Sequence, residues 1–408
     1  MSKSTFFTGQ PIFTQLLSLI PGSMVNSLSR QFNADRYCKK FTSYDHLVTM
    51  LFSTFHHCSS LRELITGLQA NSHRLNHLGL QYTPRKSTLA DANARRSADL
   101  FGALFHRLYE HHYGRLPDSL KGKSIDHRLY IADSTTISLF SSVMAGMGCY
   151  GNVGKKKGGA KAHILLRFKD QLPCFIHLTA AKENDKVFLP KVKLPTGSII
   201  VMDRGYNSYK QYAQWSKGKI MWVTRLHPRS VYAMERELPV TEAQYNKGIR
   251  SDSIIALGNP KTEHLNAIQK VRMVRFVDSD TKKEFLFISN NLTINGMTIC
   301  DIYKKRWEIE MFFKRIKQNF NLQYFLGDNE NAIKIQIWCG LIADLLIKII
   351  KDKADKVRKR KWAFANVSGL IRLHLTTYID VYKFLVAPEK AMINYSQRPI
   401  DPQLSLYT

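Results

Sequence analysis

Three acidic residues are placed where carboxylates could act together in chemistry. Asp133 lies inside a β-rich segment, where a hydrophobic residue is the usual occupant. Asp203 ends the apolar run Ile199 to Met202, just before Arg204 and a glycine. An acid at the carboxyl end of a strand faces the crevice beyond the sheet, and carboxylate oxygens are ligands that Mg²⁺ prefers. With Glu310 from a later helical segment, the acids predict a site for divalent ions.

The helical segment from about Met297 to Phe320 is expected to be one long helix that surrounds Glu310 with polar groups. Each helical residue turns the chain by about 100°, so four side chains project within about 40° of Glu310. These are Tyr303, Arg306, Lys314 and Lys317. Two Mg²⁺ ions between carboxylates can activate an attacking hydroxyl and stabilise the leaving oxygen at a phosphodiester. The cations and the phenol would hold the backbone phosphates of the bound DNA.

Each acid also has a simpler explanation when it is taken alone. Asp133 could pair with a nearby Lys or Arg, and Asp203 fits the turn chemistry of an acid before Arg and Gly. Asp185 is a rival carboxylate, but it lies where a helix N-cap is wanted. A charged helix face around Glu310 is commonly solvated and ion-paired. The order of the acids along the chain, on two strands and then a helix, favours the shared site.

Charge is the unusual feature of the composition. Sixty Lys and Arg residues oppose 32 Asp and Glu residues, which gives a net charge of +28. Such a balance predicts a polyanionic partner, and clusters such as Lys155 to Lys157 and Lys351 to Lys361 could neutralise phosphates. The most apolar stretch, Ile335 to Ile350, is too short and too interrupted to span a membrane.

Other partner classes are disfavoured by absent patterns. The first residues lack a basic start followed by an apolar run, so we expect a protein that stays in the cytoplasm. The loop from Gly151 to Lys161 is rich in Gly and Lys but lacks the Gly-Lys-Ser/Thr ending of a Walker loop, so no nucleotide cofactor is expected. Six separated cysteines predict reduced thiols rather than a zinc site.

The periodicity of the chain divides it into three regions. Residues 1–118 read as a helical DNA-binding or assembly region, 119–345 as an α/β catalytic domain and 346–408 as a basic helical region. Within 119–345, the order is three strands, helix, strand, helix, strand, which suits a mixed sheet. An inserted β unit is expected at about 228–296. Ser87 is the predicted N-cap of a helix that carries Arg95 and Arg96, which could read DNA.

A resemblance sharpens this interpretation. Tyr303, Arg306, Glu310 and Lys317 have the spacing of the Y-R-E-K signature of the cut-and-paste bacterial transposases named after insertion sequence four. The segment Asp203 to Tyr206 resembles the second catalytic motif of that family, and Asp133 to Thr135 resembles its first. The likeness extends from about residue 84 to 345.

The resemblance implies a ribonuclease H-like DDE domain with a β insertion between the second Asp and the Glu. It implies Asp133, Asp203 and Glu310 as catalytic metal ligands for two Mg²⁺ ions, with Mn²⁺ as a substitute. Arg204 and Tyr206 join the expected DNA contacts. The implied partners are terminal inverted repeats, target DNA and a second copy of the chain in a homodimer.

Relatives stack a flipped base on a Trp of the insertion, but the chain has no Trp from Pro228 to Cys300. Trp222, Phe285 or Phe287 could substitute, because stacking requires only an aromatic face. Two alternatives to a transposase remain open. One is a metal-dependent nuclease that cuts without strand transfer, and the other is a DNA-binding regulator whose catalytic site has decayed.

Overall fold

The computed structural model describes residues 6–138, 159–180, 187–259, 268–320, 322 and 324–390. The chain forms two compact units: residues 113–314, and residues 1–112 with 315–408. Two sequence-based expectations fall at least partly outside the described residues: most of the Gly- and Lys-rich loop, and Asp185.

The first unit is built on a single mixed sheet. Its order is β3-β2-β1-β4-β5-β9-β8-β7-β6, counted over the described residues. The strands are β1 Leu129–Ser138, β2 Gly159–Arg167, β3 Leu172–Ala180, β4 Ile199–Met202, β5 Met221–Arg225, β6 Tyr232–Leu238, β7 Ile249–Leu257, β8 Gln269–Val277 and β9 Glu284–Ser289.

Strands β1 to β5 form a ribonuclease H-like core. Strand β1 runs parallel to β4 and antiparallel to β2, and β4 runs parallel to β5. All residues of β4 are buried, which agrees with its uninterrupted apolar sequence. The helix Tyr209–Lys217 follows β4 and packs against β5. The α/β class predicted from the sequence is confirmed.

The later strands extend the core sheet. Strand β9 pairs antiparallel with β5, and β8, β7 and β6 follow outward in an antiparallel ladder. The β segment predicted at 228–296 therefore continues the core sheet, because its last strand, β9, pairs with β5. A local periodicity could predict these strands but not their neighbour, because strand pairing is a tertiary contact.

The expected long helix around Glu310 is wrong. The chain forms two helices, Gly296–Lys304 and Trp307–Asn319, separated by a tight turn at Lys305 and Arg306. The Arg306 N–H donates to the Tyr303 carbonyl at 3.0 Å. This hydrogen bond spans three residues instead of the four of an α-helix, so the backbone is wound more tightly here. Tyr303 and Glu310 therefore belong to different helices.

The second unit is helical, and the helix Glu330–Asp355 is its longest element. This helix is buried along most of its length and packs against the helices Ser43–His56 and Val381–Val386. Its Asp344 is enclosed in an ion pair with Arg315. The predicted domain boundary at residue 345 lies inside this helix. A boundary placed from composition cannot show which hydrophobic core a helix packs into. None of the described helices is long and apolar enough to cross a membrane.

Several helices shorter than Glu330–Asp355 complete this unit. Arg85 occupies the N-cap position of the helix Lys86–Arg95, so the prediction that Ser87 is the cap is wrong. The others are Ile12–Leu17, Gly22–Gln31, Leu61–Ala70, Ala98–Tyr113 and Phe364–Leu373.

Candidate active site

The register of three parallel strands brings polar residues to one level of the sheet. Ala132 of β1 is opposite Met202 of β4, so the next residue of each strand is an aspartate, Asp133 and Asp203. Val201 is opposite Val223 of β5, and two residues further along both strands are Asp203 and Arg225. Two acids and a guanidinium therefore lie side by side where β4 and β5 end.

Arg306 joins the helix to this edge. Its Nη1 donates to Asp133 Oδ2 at 3.1 Å and its Nη2 donates to Glu310 Oε1 at 2.6 Å. One guanidinium thus spans an acid from β1 and an acid from the helix Trp307–Asn319. Asp133 also accepts a hydrogen bond from the Ser134 amide at 2.8 Å.

Asp203 is held by a second pair of side chains. Arg225 Nη2 donates to its Oδ1 at 2.5 Å, and the Tyr303 hydroxyl donates to the same oxygen at 3.2 Å. The Tyr303 ring packs on Phe287, with 4.7 Å between ring centroids, and lies near both guanidinium groups. Tyr303 therefore fixes the position of Asp203 through a buried ring and a polar end.

The two aspartates have opposite electrostatic environments. Burial raises the pKa of Asp133 to about 6, against a smaller lowering by the Ser134 amide and Arg306. Burial also acts to raise the pKa of Asp203, but the hydrogen bond and charge of Arg225 outweigh it and hold that pKa below its usual range. Burial raises the pKa of Tyr303 to about 12, so this phenol stays protonated.

The donor set fits hard cations. The side chains of Asp133, Asp203 and Glu310 are 19%, 31% and 35% exposed, so each carboxylate can be reached from solvent. Arg306 contacts Asp133 and Glu310 through two different nitrogens, so the two carboxylates lie beside one guanidinium. In the present side-chain positions, no three acidic, His or Cys groups of the described residues converge closely enough to hold a metal. Metal binding would require the guanidinium of Arg306 to move away from its position between the carboxylates.

Several residues predicted to bind DNA have other roles in the structure. Tyr206 is 2% exposed and packs near Phe188 in the core of the sheet domain. Arg96 is 6% exposed and donates to the carbonyl oxygens of Ala34 and Phe41. Both side chains contribute to their cores, because the ring and the guanidinium are enclosed by protein atoms, and neither is retained as a DNA contact.

The other predicted cations are accessible. Arg204, Lys314, Lys317 and Arg95 are all exposed. Lys314 is the last residue of the sheet unit, and Lys317 belongs to the helical unit.

Sequence reasoning missed Arg225, which contacts Asp203, and Trp307, which begins the helix that carries Glu310. Arg225 ends β5, whose other four residues are buried, and an ionisable residue at the end of a buried strand is the signal that identified Asp203. Trp307 follows Arg306 at the start of a helix and is 59% exposed, an unusual position for the largest apolar side chain. Trp222 is fully buried and stacked on Tyr212, and Phe287 is buried against Tyr303, so neither presents a face to a base.

The sheet topology and the acids at its edge are those of a ribonuclease H-like domain. A family model described as "Transposase DDE domain" matches residues 124–346, more than half of the chain. The chain therefore belongs to the DDE transposase family, whose domains are generally dependent on divalent metals. It is a DNA transposase. A second model, "Domain of unknown function (DUF4372)", matches residues 8–81.

Curated relatives carry the same description. The chain is 27% identical to a putative transposase, y4zB, of Sinorhizobium fredii over 274 residues, which cover 65% of this chain and 72% of the relative. It is 24% identical to a putative transposase for insertion sequence element IS4SA of Synechocystis, covering 70% and 77% respectively. A probable transposase for element IS5377 of Geobacillus stearothermophilus is 23% identical over 56% of this chain and 58% of its own length. Membership of the insertion-sequence-four family stays a prediction.

Among solved structures, the chain is similar to the piggyBac transposase synaptic complex with hairpin DNA. The TM-score is 0.47 at 10% identity, with 96% of this chain and 86% of that chain covered.

Proposed function

We propose that Asp133, Asp203 and Glu310 are the catalytic carboxylates with which this transposase cuts DNA at transposon ends and joins the freed 3′ ends to target DNA. The observation that carries the proposal is the shared level of Asp133 and Asp203 on adjacent parallel strands, with Arg306 contacting both Asp133 and Glu310. A structural ion pair needs one acid for each base, whereas this edge gathers three acids around two guanidiniums.

The three carboxylates would hold two Mg²⁺ ions, or Mn²⁺ in their place. When bound, such ions activate the attacking hydroxyl and stabilise the leaving oxygen of an in-line displacement. The protein contributes the positions of the acids: β1 and β4 fix the two aspartates, and Tyr303 and Arg225 orient Asp203 through hydrogen bonds. Because the Tyr303 phenol stays protonated, it remains a donor to that carboxylate at neutral pH.

The cations around the acids would position DNA. Arg306 has its guanidinium beside the acids and would be available to a backbone phosphate if Asp133 and Glu310 held metal ions instead. Arg204, Lys314 and Lys317 would contact phosphates further along the strand, and Arg95 would do so from the helical unit. The exposed ring of Trp307 would offer an aromatic face for an unstacked base.

Cleavage of flanked DNA tests the assignment. A supercoiled plasmid with the terminal inverted repeats of the element is incubated with protein and Mg²⁺ or Mn²⁺. We expect nicks at the repeat ends, followed by joining of a labelled 3′ end to target DNA. Asp133→Asn, Asp203→Asn and Glu310→Gln should each abolish both steps, while Glu308→Gln, a neutralised neighbour on the same helix, should retain them.

Each of the other outcomes would support one of the two alternatives to a transposase. Cutting without joining would indicate the nuclease, and end binding without any metal-dependent cutting would indicate the decayed regulator. The homodimer is proposed for the DNA-bound state, and light scattering of the end complex would measure its mass.

A further inference from the structure

A basic cleft lies in the helical unit. It follows the helix Glu330–Asp355, has a volume of about 310 Å³ and opens to solvent. The cleft is lined by Arg358, Arg360, Lys361, Trp362, Ala363 and Asn366. The volume is about ten times the share of one water molecule in the liquid, so the cleft can accept a group larger than a single ion.

The loop of residues 356–361 contributes to the lining of the cleft. Its positive charge is not neutralised by acidic residues of the same segment. Along the preceding helix, cations are paired one turn away, as in Lys348 with Asp352 and Lys351 with Asp355. The next six residues, 356–361, contain five cations and no acid. Among the described residues, Arg360 and Lys361 form no ion pair, and both are exposed. On a solvated helix face, positive and negative residues commonly alternate. The loop contains no negative residue, so it does not match that pattern.

The walls of the cleft are fixed. The Trp362 amide donates to Asp355 Oδ1 at 3.0 Å, and its indole Nε1 donates to the Leu385 carbonyl at 2.8 Å. The Arg358 guanidinium lies 5.1 Å from the centre of the Trp362 ring and donates to the carbonyls of Leu385 and Arg360. Cations in a loop that is already ordered bind an anion with less loss of conformational freedom than a flexible tail would.

We propose that this cleft is a binding site for the phosphate backbone of double-stranded DNA, separate from the catalytic acids. Arg360 and Lys361 contact successive phosphates, and the Trp362 and Arg358 pair holds the loop in the conformation that presents them. The site rests on DNA being the substrate, as proposed above, and it contributes affinity rather than chemistry. It recognises the regular spacing of phosphates, so it does not select a base sequence.

Salt dependence measures these contacts directly. Binding of a labelled duplex in EDTA is followed against NaCl concentration for wild type and for Arg360→Gln with Lys361→Gln. Each lost phosphate contact should reduce the slope of log affinity against log salt by about one, which is roughly tenfold per contact at about 0.1 M salt. The control is Lys39→Gln with Lys40→Gln, which removes two exposed charges from the same unit.

We expect the cleft variant to lose about two units of slope and the control to lose much less. Equal losses in both variants would overturn the proposal, because total charge would then explain the affinity. Release of wild-type duplex by inorganic phosphate at matched ionic strength would also overturn it, in favour of a site for isolated anions. As a second measurement, bound duplex should protect Lys361 from acetylation and leave Lys39 reactive.

The experiment separates this site from the catalytic assignment. At saturating DNA, the cleft variant should cut at the wild-type rate, and Asp133→Asn should bind duplex with the wild-type slope. A cleft variant with normal slope would refute the cleft alone. A wild-type protein that binds but never cuts would refute the catalytic proposal alone.

Discussion

Two clusters of arginine and aspartate lie in the same sheet domain and are built differently. In the extended part of the sheet, Arg272 of β8 holds Asp252 of β7 through two bonds of 2.8 and 2.6 Å, and the Asp252 side chain is 2% exposed. Arg272 also donates to the carbonyls of Leu292 and Ile294. This pair is closed: one acid meets one base, and water is excluded.

The cluster at the ends of β4 and β5 is open. Arg306 makes one bond to each of two acids, and Arg225 makes one bond to a third. The Nε atoms of both arginines are buried and have no acceptor among the described residues. Buried donors without partners and an excess of acid are costly to stability, and they mark a site arranged for ligands. The comparison separates ion pairs that serve the fold from those that serve chemistry.

The largest difference should be in the cleavage rate. Asp203→Asn should slow end cleavage by at least about a thousandfold, or about 4 kcal/mol in activation free energy, because Asp203 is proposed as a metal ligand. Asp252→Asn should leave the rate per folded molecule unchanged. Single-turnover cleavage measures both, and a comparable loss in the two variants would remove the distinction between the clusters.

For stability, the larger effect is expected at the closed pair. Asp252→Ala leaves the Arg272 guanidinium buried without its partner, so the free energy of unfolding should fall by about 3 to 5 kcal/mol. Urea denaturation gives the value. Replacing both members by apolar residues of similar volume should recover much of the loss, and failure to do so would mean that the pair stabilises beyond its own charges.

Arg225 tests whether an open contact is also functional. Arg225→Gln removes a hydrogen bond to a charged acceptor worth about 1.5 to 3 kcal/mol, so cleavage should slow by roughly 10- to 100-fold. The pKa of Asp203 should rise at the same time, which would move the acid limb of the pH profile upward. Arg225→Lys keeps the charge and should recover part of the rate. An unchanged pH profile would limit Arg225 to a packing role.

The smallest effect distinguishes Asp133 from Asp203. Burial raises the pKa of Asp133 to about 6, so the folded protein binds more protons than the unfolded chain between about pH 4 and 6. Stability is therefore lost as pH rises through this window. In EDTA, Asp133→Asn should be more stable than wild type by about 1 to 2 kcal/mol at neutral pH and equal to it near pH 4.

Asp203→Asn is the matched control. The pKa of Asp203 is lowered in the fold, so its ionised form stabilises the folded state above the usual Asp range. The amide variant should be less stable at neutral pH, and the difference should vanish as pH falls. Effects of the same sign in both variants would contradict the opposite environments of the two acids.

Local patterns predicted individual elements well. The apolar run Ile199 to Met202 is β4 without change. The turn at Lys305 and Arg306 was not predictable, because no Pro or Gly marks it and the helical periodicity continues through it. The buried positions of Tyr206 and Arg96 depend on neighbours that are distant in sequence.

The sequence by itself determined the acids, their order and the strands that carry them, because a carboxylate within or at the end of an apolar strand is a local signal. The tertiary structure decided the rest. Register set Asp133 beside Asp203, the turn before Trp307 directed Arg306 between two acids, and β9 joined the later strands to the core. Each of these depends on pairings between segments far apart in the chain, which no local periodicity encodes.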